Sequence, residues 1–162
     1  MTEIDIRKAT ADDVDQLADL AHELNLFHQD DTRPDPVLLK KHQDYYEAYV
    51  AQIAEGKLIG YAAGYSMFQF HTATPGFEIQ NIAVAAAHRR AGVGRGLMET
   101  LIMDKYRKGI RKFTLGVEKG NDSALTFYKA LGFVERDFGD SWRCYLRDQN
   151  LEQFVDGFNA KR

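Results

Sequence analysis

Two arginines, Arg89 and Arg90, run into three glycines at alternate positions, Gly92, Gly94 and Gly96, and these open the apolar segment "GLMETLI". Residues of these types at this spacing can hold an anion. Glycines let backbone N–H groups come close to a ligand, and a helix start carries orphan donors with a partial positive charge. Arginines just upstream add charge-assisted hydrogen bonds. A phosphate or diphosphate fits such a site. The competing reading is a glycine-rich turn that only permits tight strand-to-helix packing.

Two familiar anion loops fit poorly. A P-loop ends in Gly-Lys followed by Ser or Thr, and no lysine follows Gly96. A dinucleotide fingerprint opens a βαβ unit near the first strand, whereas "GVGRG" lies past mid-chain after a hairpin-like middle. The pattern R-x-x-G-x-G is met by Arg89, Gly92 and Gly94, between the strand-like "IAV" and the helix.

Through "EIQNIAVAAAHRRAGVGRGLMETLI" and the downstream "NDSALTFYKALGFVE", the chain resembles the GNAT superfamily of acyl-CoA-dependent N-acetyltransferases. The likeness extends to the opening "IRKATADDVDQL". It implies acetyl-CoA as acyl donor, with the diphosphate held around Arg89, Arg90, Ala91, Gly92, Val93, Gly94 and Arg95. Ile82, Ala83 and Val84 would offer backbone groups to the pantetheine arm, as a splayed strand does in the family. By the same likeness Asn121 lies near that arm and Tyr128 near the thioester sulfur.

Acyl transfer to an amine sets its own demands. Only the neutral amine attacks, and a lysine-like amine has a pKa of about 10.4, so a proton must be accepted on the way in. The departing thiolate needs one back, and charge on the carbonyl oxygen needs a donor such as a strand N–H. The family match makes Tyr128 the proton donor. Its alternative is a core position, since Ala124, Tyr128 and Leu131 share one helical stripe.

For the base, strand alternation puts Glu78, Gln80, Ile82 and Val84 on one face. Glu78 matches the catalytic glutamate of histone-type members. In the diamine and polyamine branch, which the chain also resembles through "FYKALGF" and "SWRCYL", the functional glutamate matches Gln80 and its acidic neighbour matches Asn81. Gln80 cannot act as a base. Either Glu78 works through water, or no single side chain does; otherwise Glu78 is a strand-end carboxylate facing solvent. Substitute acidic groups exist in "HQDDTRPD", at Asp30, Asp31 and Asp35, which read equally as a solvated turn. His28, Asp31, Gln80 and Asn81 are the acceptor-side candidates, with Tyr65 and His71 behind them.

These groups must be positioned by ordinary elements. "EIDIRKA" reads as a strand, and "TADDVDQLADLAHELNLF" as a helix with Thr10 as N-cap. Asp35 and Pro36 restart a helix through about Tyr45. "EAYVAQIA" and "KLIGYAAGYSMFQF" form a hairpin, "HTATPG" is a turn, and "FEIQNIAV" is the next strand. A helix from Val93 to Arg107 stops near Gly109, "RKFTLGV" is strand, and a helix capped by Asn121 closes at Gly132. "FVERDF" and "SWRCYLR" pair antiparallel, and "LEQFVDGF" adds a helical turn or two.

The expected fold is one α/β (α+β) N-acetyltransferase domain over residues 1–162. Its sheet is mixed and mostly antiparallel, flanked by helices, and the resemblance adds the splayed strand pair. At 162 residues, 44% hydrophobic and 28% charged, the chain has an ordinary globular balance. A net charge of −3 argues against a nucleic-acid partner, and no apolar run has the length of a membrane span. Lys105, Arg107, Lys108, Arg111 and Lys112 read as a solvated face closing a helix. The single Cys144 reads as a packed thiol, and with the charged start "MTEIDIRKAT" suits a cytoplasmic protein. The scattered histidines suggest no metal site. The acceptor expected is a small primary amine such as a polyamine or amino-acid-like amine. The alternatives are a protein or peptide amine, or a non-catalytic acyl-CoA sensor. Family members often dimerise, and the aromatic residues of the last strands and "LEQFVDGF" could serve a homodimer.

Overall fold

The opening alternation forms β1 (Asp5–Lys8), which pairs antiparallel with β2 (Glu47–Gln52) in a computed structural model describing residues 3–137, 139 and 141–161. Phe138, part of the expected strand "FVERDF", lies outside the described residues, as do Met1 and Thr2 of the opening segment.

Thr10 starts the first helical segment as expected, through a capping box. Its N–H donates to the Asp13 carboxylate at 2.7 Å, and its hydroxyl accepts from the Asp12 N–H. One turn of 3-10 helix (Ala11–Asp13) leads into α1 (Val14–Phe27), which buries Val14, Leu17, Ala18 and Leu20. Asp13 also takes a two-pronged hydrogen bond from Arg7, at 2.8 and 2.9 Å. The Arg7 guanidinium, against the cost of burial, holds the Asp13 carboxyl down to about 2. A depressed carboxyl pKa gives stability that is full above the unfolded value of about 3.9 and lost as pH falls through the folded value. Asp13→Asn should therefore cost on the order of 2 kcal/mol at neutral pH and flatten the acid limb between about pH 4 and 2, checked by urea unfolding across pH.

α2 (Pro36–Lys41) is shorter than the sequence suggests. Asp35 caps it, its carboxylate accepting from the Val37 N–H at 2.8 Å, but no residue of the helix is buried. With no buried face to extend it, the chain leaves helical geometry at His42 (φ −108°, ψ 23°) and makes a separate 3-10 turn, Gln43–Tyr45. β3 (Leu58–Gln69) and β4 (Thr74–Val84) follow. The turn between them is only Phe70–Ala73, so Thr74, Pro75 and Gly76, expected in the turn, already belong to β4.

α3 (Val93–Arg107) has the expected bounds, and Gly109, at φ 91°, lets the chain turn into β5 (Lys112–Glu118). α4 (Asp122–Ala130), β6 (Val134–Asp137), β7 (Ser141–Arg147) and α5 (Asp148–Asn159) complete the chain. α5 exceeds the turn or two expected, because Leu151, Val155 and Phe158 fall on one face and are all buried.

The hydrogen-bonded strand order is β1-β2-β3-β4-β5-β7-β6. β4 and β5 are parallel, paired over Phe77–Ile79 and Phe113–Leu115, while β1–β2, β2–β3, β5–β7 and β6–β7 are antiparallel. This is the mixed, mostly antiparallel sheet with flanking helices that the sequence implied. The chain gathers into two compact units. One is the chain up to Gly64 with Asn81–Leu101; the other is Tyr65–Gln80 with the chain from Ile102 onward. The first has a core of Leu17, Leu20, Ala48, Val50, Leu58 and Tyr61. In the second, Phe77, Ile79, Phe113, Leu115, Cys144, Leu146 and Leu151 are almost fully enclosed. Lys105, expected in solvent, is buried there instead, its ammonium 5.0 Å from the Phe77 ring centre. Among the described residues, no helix is long and apolar enough to cross a membrane.

Candidate active site

In the first unit, the glycine loop has the backbone an anion cradle needs. Arg90 (φ 63°) and Gly92 (φ 81°) both occupy the left-handed region, turning the chain sharply before α3. A Cβ at Gly92 would meet nothing within 4 Å, so the glycine serves backbone conformation rather than packing. The Gly92 carbonyl accepts from the Gly96 N–H at 3.0 Å, which commits it to the first helical turn. No acidic side chain lies in that turn, so the turn itself does not offset the positive end of the helix. Arg89, Arg90 and Ala91 are exposed, Val93 is buried, and Gly94 and Arg95 lie between. Arg89 is braced: its Nε donates to the Val84 carbonyl at 3.0 Å, while Arg95 reaches Glu99 at 3.5 Å. These residues fit a diphosphate.

The strand leading into the loop is half-buried at Ile82, Ala83 and Val84. Gly60 of β3 explains how closely it can be approached: a Cβ there would lie 2.9 Å from the Ala83 carbonyl oxygen. Only glycine fits without moving backbone.

In the second unit, Glu78 is not the solvent-facing strand-end carboxylate that was one expectation. It sits within β4, buried, directly opposite Thr114 of β5. The Thr114 hydroxyl and Arg143 both donate to Glu78 Oε2, the guanidinium at 2.7 Å. Glu78 in turn raises the pKa of Arg143, against the opposing effect of burial. Sequence reading passed over Arg143 and Thr114. The signal was in the alternation of "SWRCYLR", which puts Arg143 and Tyr145 on the face opposite Cys144. Gly116 does the rest. It pairs with Arg143 across the β5–β7 ladder, and a Cβ there would already touch the guanidinium at 3.4 Å. A bare backbone at that point lets the arginine cross β5 toward Glu78.

Tyr128, on α4, is 8% exposed, with its ring 5.3 Å from Phe127 and 5.9 Å from Phe133. Burial, and then the neighbouring Cys144, pushes its phenol well above the ordinary value, so it stays protonated across the neutral range. A buried neutral phenol can donate a proton and is poorly suited to be a base. Asn121 is the N-cap of α4: its carboxamide oxygen accepts from the Ala124 N–H at 3.2 Å. Cys144 is a buried free thiol, its pKa raised chiefly by burial.

The acceptor-side candidates are exposed. Gln80 and Asn81 lie at the surface of β4. His28 ends α1, its ring edge-on to Phe27 at 5.3 Å. The acidic loop has local work: Asp30 accepts from the Thr32 N–H and hydroxyl, and Asp31 sits 3.0 Å from His22 Nε2. Asp35 caps α2.

A sequence model described as the acetyltransferase (GNAT) family matches residues 14–133. The chain belongs to this family. Its relatives include the N-alpha-acetyltransferase RimI of Mycobacterium tuberculosis, 33% identical over 132 residues, or 80% of this chain and 78% of that protein. The [ribosomal protein bS18]-alanine N-acetyltransferase of Escherichia coli is 40% identical over 55 residues, a segment covering 34% of this chain and 37% of that one. Among solved structures, the PaiA N-acetyltransferase of Thermoplasma acidophilum, in complex with coenzyme A, shares the fold. It is 18% identical with a TM-score of 0.71, covering 90% of this chain and 99% of that one. As a GNAT enzyme the chain is an N-acetyltransferase, and its donor is acetyl-CoA.

Proposed function

We propose that the chain works as one N-acetyltransferase domain that passes the acetyl group of acetyl-CoA to a primary amine by direct attack on the thioester. The observation that carries this is the glycine loop before α3, with left-handed backbone at Arg90 and Gly92 inside the family match. In this reading Arg89 to Arg95 hold the diphosphate, and Ile82 to Val84 offer backbone groups to the pantetheine arm. Asn121 lies beside that arm and Tyr128 supplies the proton to the leaving thiolate. Glu78, through water, takes the proton from the incoming amine.

The acceptor is a compact primary amine rather than a polycation. A polyamine site needs several uncommitted carboxylates, yet Glu78 is ion-paired with Arg143, and the two neighbouring polar positions of β4 are Gln80 and Asn81. A second reading, the α-amine of a peptide, draws support from the likeness to RimI along four-fifths of the chain. Thiol release from acetyl-CoA, followed across amino-acid amines, aminoglycosides, polyamines and short peptides, separates the two. Peptide turnover dependent on the first residue would favour the second reading, and silence across the whole panel would refute both.

The donor loop has its own test. Arg89→Ala removes a charged group braced on the Val84 carbonyl and should raise KM for acetyl-CoA by about tenfold, with kcat nearly unchanged. Steady-state kinetics at saturating amine reads this directly. An unchanged KM would take Arg89 out of the diphosphate site.

A further inference from the structure

The second unit contains a cleft of about 650 Å³ that the acetyl-transfer reading does not use. It lies between the β3–β4 turn, the start of β5, the start of β6 and the junction of β7 with α5. Lys112 opens β5 and Glu118 closes it, so the cleft is roughly 20 Å along that strand from the Asn121 end of α4. Its size falls within the range of small-molecule sites.

Its lining includes the cations Lys112, Arg136 and Arg147 and the carboxylates Glu135 and Asp148. Glu135 is taken up by Lys129, at 2.6 Å, and the Asp148 carboxylate is largely in solvent, 3.5 Å from Arg147. Lys112 donates to a neutral group, Gln69 Oε1, at 2.7 Å. Lys112 and Arg147 are cross-strand partners, and both hold their cations 5.6 Å from the Tyr145 ring centre. Two like charges directly opposed on a ladder destabilise each other unless something negative lies between them. Burial, and then Arg147, lowers the pKa of Lys112, with the exposed Asp148 carboxylate offsetting part of the effect.

We propose that this cleft binds a small multivalent anion, a phosphate or polycarboxylate group seated between Lys112 and Arg147. Such a ligand gains charge-assisted hydrogen bonds from both cations and relieves their mutual repulsion. It would act as an effector or as an anchoring group of a larger molecule.

The test uses the full chain saturated with coenzyme A, so that the glycine loop is already occupied. Inorganic phosphate and citrate are titrated separately by calorimetry, and the two arms distinguish a phosphate from a carboxylate ligand. Saturable binding of either is expected, weakened about tenfold by Lys112→Gln and by Arg147→Gln. Lys40→Gln, on the exposed α2, should leave it unchanged. Circular dichroism establishes that each variant is folded, and the two substitutions on different strands guard against one failing to fold. Absence of saturable binding at millimolar anion would overturn the proposal. Equal affinity in the Lys112 and Arg147 variants, or loss of all binding on coenzyme A saturation, would overturn it too.

Discussion

Tyr128→Phe should lower kcat for acetyl transfer by about a hundredfold or more while leaving acetyl-CoA binding nearly unchanged. The substitution removes one oxygen and keeps the ring that packs against Phe127 and Phe133, so lost chemistry is separable from lost stability. The phenol is in its acid form at neutral pH and can hydrogen-bond the thiolate as the carbon–sulfur bond breaks, while burial, by raising its pKa, makes it a weaker acid than a free tyrosine. The pH profile follows in sign. A raised phenol pKa keeps the acid form throughout the neutral and mildly basic range, so Tyr128 adds no falling limb below its ordinary value of about 10. Stopped-assay kcat and KM, with a melting curve for each variant, decide the matter. A Phe variant with full turnover and a lowered Tm would make Tyr128 a core residue and nothing more.

Local signals carried far where the deciding physics was local. Thr10 and Asp13 close a capping box three residues apart, and Asn121 and Gly132 bracket α4, because caps depend on neighbours in sequence. The loop from Arg89 to Gly96 was legible for the same reason. Where the outcome depended on what a residue meets far along the chain, the pattern was silent. α2 stops early because nothing buries it, and α5 runs long because Leu151, Val155 and Phe158 find a core. Lys105 looked like part of a solvated helix end, yet it lies over Phe77, on a strand well before α3 in the chain. The surroundings of Glu78 were the deepest gap. Its partners Thr114 and Arg143 are 36 and 65 residues away, and only the register of three strands brings them together.

That register yields the second large effect. Arg143→Met should destabilise the protein by about 2 kcal/mol, because it strands a buried carboxylate, with the partial exposure of the guanidinium keeping the loss below that of a fully enclosed pair. Glu78→Gln strands the guanidinium instead, although the carboxamide can still meet Thr114. The double variant should lose less than the sum of the two, since one deletion removes most of what the other would. Urea unfolding of the four proteins gives the coupling. Turnover measured on the same set then separates structure from chemistry. If Glu78 takes the amine's proton, the single and double variants that carry Glu78→Gln both fall by about a hundredfold, whatever stands at position 143. Arg143→Lys should then restore stability without changing the ranking in kcat. If activity instead follows Tm across the set, the pair braces β4 against β5 and β7, and the proton leaves the amine by way of water alone.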